Sequence, residues 1–343
     1  MRRSLILLTI AVLATAGCAA GPGGAGDGRT PVAPWAAGDP TESTSQSPPL
    51  DPGRPPAASR TPSPSPSSTP TPSPTPTPPA TLPGGGTTIL PEHRLVGFAG
   101  GRSPAFGRLV PEGLDAAAEQ IDAIAASYTG DGRSVLPVFE LITVVAHGSP
   151  AADGLYRTHE PDDVIAAYLA AARRHGALLL LNVQPGRAGF LDEVARLEPW
   201  LTEPDVGLAL DPEWAVGPDE VPGDVYGSTT GAELDSVAAY LSTLVAAHDL
   251  PEKVMVFHQV HASVVLDEAA LLPHPGVVTI KSVDGIGNRA EKERTWTTLM
   301  RTKPPHVAAG FKLFFEEDAA RGPLMTPAEV LALLPTPDYV LYE

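Results

Sequence analysis

The sequence predicts an α/β fold, a single closed (β/α)8 TIM-like barrel, on three observations. Eight short apolar runs alternate with amphipathic or alanine-rich stretches over residues 89–343. Alternation of that kind, joined by right-handed crossovers, makes a parallel sheet, and eight strands are enough to close it. The span also matches the roughly 250 residues usual for such a barrel. An open doubly wound sheet is the alternative arrangement for the same pattern.

Taken in order, the strands are expected at Arg94–Ala99, Val135–Val145, Ala177–Val183, Val206–Asp211, Lys253–His258, Val277–Lys281, Ala309–Phe315 and Tyr339–Tyr342. Helices are expected at Leu114–Ser127, Pro161–His175, Phe190–Leu201, Gly231–His248, Leu266–Leu272, Arg289–Met300 and Pro327–Leu334. Two starts carry clear caps, Thr230 ahead of Gly231-Ala232-Glu233 and Thr326 ahead of Pro327-Ala328-Glu329. A threonine hydroxyl there accepts from the free amides of the first turn, and proline at the first helical position loses no bond. No helix is expected after the eighth strand, so the segment Leu82–Glu92 is expected to fold back over that strand's outer face.

The fourth strand shows why a barrel is preferred. Val206, Leu208 and Leu210 alternate with Gly207, Ala209 and Asp211. With the period of two of a strand, the bulky residues face a covering helix and the small ones face a narrow lumen. The run ends in Asp211-Pro212-Glu213, two acids at the carboxyl end of a barrel strand, where such folds keep their chemistry. The other strand ends carry polar residues at the same rim. Glu140 comes from the second strand, Asn182 and Gln184 from the third, His258 and Gln259 from the fifth, and Lys281 and Asp284 from the sixth. Lys312, Glu316 and Glu317 come from the seventh, Tyr342 and Glu343 from the eighth. Lys281 and Lys312 lie inside apolar strands and need carboxylate partners there.

These residues suggest acid–base work on a neutral or cationic ligand. Glu213 is expected to act as general acid, its ionisation opposed by Asp211, with Glu316 or Glu317 across the barrel as a second carboxylate. Trp214, Tyr226 and Phe314 are placed to stack on sugar rings, and the insert at 215–229 is long enough to form a lid. His258-Gln259-Val260-His261 reads as ligand contacts rather than half a metal site, and Asp284-Gly285-Ile286-Gly287-Asn288 as a tight turn before a helix. Neither a metal nor a cofactor is expected.

The N-terminal third is organised differently. Arg2 and Arg3 precede a short apolar run and then Thr15-Ala16-Gly17-Cys18. The pattern resembles a bacterial lipoprotein signal peptide, residues 1–17, which implies lipidation of Cys18 and an extracytoplasmic domain anchored to the cell membrane. Cys18 is the only cysteine, so no intramolecular disulfide can form. Residues 18–88 are rich in proline, serine, threonine and glycine. Thr61–Pro79 is expected to be an extended spacer of roughly 55–60 Å at about 3.1 Å per residue. The chain carries a net charge of −17, and residues 1–88 hold five basic and four acidic side chains, so the acidity sits in the barrel region. Such a surface does not suit nucleic acid. A monomer is expected.

Gly207-Leu208-Ala209-Leu210-Asp211-Pro212-Glu213 also resembles the fourth-strand signature of the chitinase-like glycoside hydrolases. Ala209 stands where that family has its middle aspartate. The resemblance implies a hydrolase acting on cell-envelope carbohydrate, with Glu213 as acid and Asp211 orienting the substrate or stabilising the charged intermediate. The other reading is a non-catalytic glycan- or solute-binding lipoprotein.

Overall fold

The computed structural model describes residues 80–343; Cys18, the apolar N-terminal run and the proline-rich spacer lie outside the described residues. Eight parallel strands form the barrel: β1 His93–Gly100, β2 Ser134–Ala146, β3 Leu178–Val183, β4 Val206–Leu210, β5 Lys253–Gln259, β6 Val277–Val283, β7 Ala308–Leu313 and β8 Tyr339–Tyr342. Each pairs in parallel with its neighbours, and β1 pairs with both β2 and β8, which closes the sheet.

The helices are α1 Leu114–Ala125, α2 Asp162–Arg174, α3 Phe190–Arg196, α4 Glu198–Leu201, α5 Gly231–Ala247, α6 Arg289–Leu299 and α7 Pro327–Leu331. Thr230 caps α5 through the Glu233 amide, and Thr326 forms a reciprocal box with Glu329 on α7. The expected helix at Phe190–Leu201 is broken at Leu197, because Pro199 has no amide to continue the ladder and instead opens α4. The expected helix at Leu266–Leu272 is only a 3-10 turn at Glu268–Ala270. Asp267 enters it in the left-handed region, and Pro273 follows too soon for a second turn.

Two apolar layers result from strand parity. Val206, Leu208 and Leu210 pack outward with Leu234, Val237, Leu241 and the other helix residues. Leu95, Val138, Leu180, Ala209, Val256, Ile280 and Leu341 fill the lumen. The lumen is tight: a Cβ on Gly207 would lie 2.6 Å from Leu180 Cδ2 and 2.9 Å from the Val254 carbonyl oxygen. A side chain at 207 would therefore push β4 out of register.

The folded region begins before residue 89, and its first segment lies elsewhere than over β8. Leu82, only 2% exposed, and Ile89 join the lumen cluster and plug the N-terminal end of the barrel. The plug is tied to β5 by Ile89 N donating to Glu252 Oε2 at 2.6 Å and Glu252 N donating to the Thr87 carbonyl at 2.9 Å. On the outer face of β8, Tyr342 meets Tyr128, just beyond α1, hydroxyl to hydroxyl at 2.7 Å. The segment covers apolar lumen residues that water would otherwise reach at the open barrel end.

Candidate functional site

The inward parity that fills the lower lumen with aliphatic residues turns polar at the carboxyl ends of the strands. β2 supplies Glu140, β3 Asn182, β4 leads to Asp211, β5 supplies His258, β6 supplies Ser282 and leads to Asp284, β7 supplies Lys312, and β8 supplies Tyr339 and leads to Glu343. Hydrogen bonds and ion pairs connect them into one ring. Asn182 Nδ2 donates to Glu140 at 2.9 Å and to Asp211 at 3.1 Å, and Gln184 Nε2 donates to the other Asp211 oxygen at 3.1 Å. The Tyr339 hydroxyl donates to Glu140 at 2.6 Å. Asp284 takes His258 Nδ1 at 2.7 Å and the Ser282 hydroxyl at 2.7 Å. Lys312 Nζ lies 2.6 Å from Glu343 and 3.5 Å from Asp284.

Burial and charge divide these groups into two kinds. Burial pushes Glu140 and Asp284 up, but His258 and Lys312 outweigh it; Glu140 is held below its ordinary range and Asp284 is brought down to about 2. Burial likewise opposes the charges of His258 and Lys312, yet the carboxylates around them raise both well above their usual values. Asp211 and Glu343 go the other way, raised chiefly by burial. Glu213 is pushed up to about 8, first by burial and then by the charges of Asp211 and Asp284. A carboxyl in that range is neutral at physiological pH and able to give a proton.

Glu213 lies in the 3-10 turn Pro212–Trp214 that follows β4, partly exposed as a residue. Its Oε2 is nevertheless occluded and has no hydrogen-bond partner. The other buried side-chain atoms without partners among the described residues are His147 Nε2, Asn182 Oδ1, His258 Nε2 and both amide atoms of Gln259. His258 Nε2 is 3.1 Å from Glu140 Oε1 but is not aligned for a hydrogen bond. All of these unmet atoms sit at the carboxyl ends of β2 to β5, on one side of the mouth. Buried polar atoms are almost always paired, and each orphan costs about 1–3 kcal/mol. Those of Asn182 and His258 belong to side chains of inward parity beside Glu140, whereas Gln259 has the outward parity of β5.

The insert at 215–229 folds over the same half. Val216 N donates to the Gly186 carbonyl at 2.9 Å, Gly227 N to the Glu213 carbonyl at 2.7 Å and Thr229 N to the Val264 carbonyl at 2.9 Å. Its tip, Gly223–Tyr226, is exposed. Tyr226 is 50% exposed and stacks on His261, with ring centroids 6.4 Å apart. Partial burial and the Glu213 carboxylate raise its phenol. Trp214 is partly buried, with Gly223 of the insert beside it.

Of the residues expected from the sequence, the ring gathers Glu140, Asn182, Gln184, Asp211, His258, Asp284, Lys312 and Glu343, with Glu213 at the mouth. Others lie elsewhere. Lys281 has outward parity and binds Glu268, with Nζ 2.8 Å from both carboxylate oxygens, so its carboxylate partner is in the helical layer. Tyr342 also faces outward, against Tyr128 and Phe315. Strand β7 ends at Leu313, and Glu316 and Glu317 are exposed in the turn beyond it. Gln259 follows His258 on the outward parity of β5, buried with its amide unpaired. Phe314 is mostly buried, 5.2 Å below the Lys312 ammonium. His258 and His261 part company, one buried in the lumen and the other stacked outside. Asn288 makes a capping box with Glu291, which accounts for the preceding glycine-rich turn.

Tyr339 was missed. It opens β8 and reads as core, but it has the same parity as Leu341 and Glu343, and that parity was the available signal. No protein-family model matches the sequence, and no curated protein matches it.

Proposed function

We propose that the barrel hydrolyses a cell-envelope carbohydrate by general acid catalysis, with Glu213 as proton donor, and that Cys18 anchors it to the membrane from outside the cytoplasm. The observation that carries the catalytic reading is Glu213 itself, a carboxyl raised to about 8 whose occluded oxygen has no partner. Glycoside hydrolysis needs a donor of that kind beside a second carboxylate. Asp211 is the neighbour suited to the second role: Asn182 and Gln184 each donate to one of its oxygens, which supports a carboxylate there against the burial that raises it. Trp214, Tyr226 and His261 offer ring faces around the mouth on which a sugar can stack.

The test is a screen of envelope glycans followed by Glu213→Gln. Turnover should fall by about 10²–10⁴-fold with binding retained, the usual worth of a positioned acid. An activity unaffected by that substitution rejects Glu213 as the acid. For the anchor, Cys18→Ser should release the protein from the membrane fraction and abolish palmitate labelling.

The second reading, a glycan- or solute-binding lipoprotein, is favoured by one feature. The lower ring is paired within itself, Glu140 to Asn182 and Tyr339, Asp284 to His258 and Ser282. Tight glycan binding without turnover in the same screen selects that reading.

A further inference from the structure

We infer that His258 is a positioning residue for the acid–base pair: held as an imidazolium by Asp284, it keeps Asp211 the charged member and so leaves the transferable proton on Glu213. This rests on the hydrolase reading above and adds what decides between its two carboxyls. Burial raises both of them, so burial does not choose. The first ground is the geometry around the imidazole. Asp284 is itself held, with Oδ1 accepting from the Ser282 hydroxyl and Oδ2 facing His258 Nδ1, each at 2.7 Å. Brought down to about 2, Asp284 is a carboxylate, so Nδ1 is the donor and the ring's orientation is fixed. The other nitrogen, Nε2, then lies 3.1 Å from Glu140 Oε1 and 3.9 Å from Asp211 Oδ1. The same two oxygens accept from Asn182 Nδ2 at 2.9 and 3.1 Å, so these four atoms form one cluster. A lone pair on Nε2 would face two acceptor oxygens, whereas a proton there is attracted to both. With both nitrogens protonated, the buried ring carries a full positive charge.

The other groups around the lumen do not replace it. Lys312 is taken by Glu343 at 2.6 Å, with Asp284 at 3.5 Å. β1 faces the lumen with Leu95 and Ala99, β3 with the neutral Asn182 and Gln184, and Tyr339 of β8 gives its hydroxyl to Glu140. Among the described residues His258 is the only cation within ion-pair distance of Asp211. It is accordingly the foremost influence opposing burial at Asp211, whereas at Glu213 the charges of Asp211 and Asp284 add to burial. The second ground is a hydrogen-bond lock. The Ala146 amide donates to Gln184 Oε1 at 3.2 Å, so the opposite end, Nε2, is the end that meets Asp211 Oδ2, 3.1 Å away. A backbone amide and Nε2 can only donate, so Gln184 cannot reverse without setting donor against donor. A proton on Asp211 Oδ2 would likewise point at a donor. Glu213 Oε2 has no donor aimed at it, so a proton there displaces nothing.

The experiment is an NMR titration of the full chain, following carboxyl-carbon shifts of aspartate and glutamate and imidazole-nitrogen shifts of histidine. Asp211→Asn and Glu213→Gln assign the two carboxyl signals. Asp211 should ionise in a step below that of Glu213, whose step lies at about 8. Both His258 nitrogens should stay protonated through the interval between the steps. In His258→Gln the Asp211 step should rise by about 1–3 pH units, the effect of losing an opposite charge at this range. A merely structural histidine would change the melting temperature and leave both steps where they were. A rise of less than about 1 unit, a neutral His258 between the steps, or a proton kept by Asp211 to higher pH than by Glu213 overturns the inference. If His258→Gln does not fold, His258→Asn takes its place, and the wild-type spectra decide if neither folds. No glycan enters the measurement, so the two readings fail separately. The expected order of steps without turnover of any glycan removes only the hydrolase. Turnover that depends on Glu213, with the steps in reverse order, removes only the inference.

Discussion

Replacing Glu213 by glutamine should stabilise the protein, and increasingly so as pH rises. In an unfolded chain this carboxyl ionises near 4.5, and in the fold at about 8. Below ~pH 4 it is protonated in both states and contributes no difference. Between the two values the unfolded chain releases the proton while the fold keeps it, so the wild type loses stability as pH rises. Above ~pH 8 both states are ionised and the loss is complete. At about 1.4 kcal/mol per pH unit the whole effect is at most about 5 kcal/mol, with Asp211 sharing in it because each carboxyl opposes the other's charge. Glutamine keeps the shape, cannot ionise and can donate to Asp211. Urea unfolding of wild type and Glu213→Gln at about pH 5, 7 and 9 measures the difference. The variant should match the wild type closely at the acid end and exceed it by about 2–5 kcal/mol at the alkaline end. A gap that does not widen with pH would falsify the account of Glu213 as a carboxyl held neutral by its surroundings.

Further outcomes follow from the packing. Leu82→Ala should cost about 2–5 kcal/mol, or roughly 2–4 °C of melting temperature for each kcal/mol, because it opens the plug at the barrel's N-terminal end. A chain beginning at Thr87 should melt below one beginning at Ala80, and equal melting would show that the plug carries no stability. Lys281→Met should cost about 3–5 kcal/mol by stranding Glu268, and adding Glu268→Leu should recover most of it without changing ligand affinity; altered affinity in the double variant would return Lys281 to the site. Tyr342→Phe should cost about 1 kcal/mol, with no effect on the pH profile of ligand binding. Tyr339→Phe should shift that profile, because it removes a donor to Glu140; identical profiles for the two variants would contradict their opposite facing.

The eight strands, most of the helices and the inward set Glu140, Asn182, Asp211, His258 and Lys312 were legible from the sequence alone. All depend on local regularities: the period of two in a strand, the caps at Thr230 and Thr326, and the small residues Gly207 and Ala209 facing a narrow lumen. Facing at a strand end is less legible, because parity must be counted from a register that the sequence does not print. Lys281 and Tyr342 lie one step from Ser282 and Leu341, and one step reverses the face. Where a chain leaves its strand is equally non-local: β7 ends at Leu313, and Glu316 lies exposed in the turn beyond it.

What the sequence by itself determined was the class of the fold, the strand-end location of its polar residues and the lipoprotein-like pattern around Cys18. Only the tertiary structure decided which of those polar residues meet. It joined Tyr339 to Glu140 across 199 positions and His258 to Asp284 across 26, and it put Leu82 in the barrel floor. It also pushed the Glu213 carboxyl up to about 8. A carboxyl's ionisation is set by how much water remains around it and by which charges close in from other strands. Neither is a property of its neighbours in the chain.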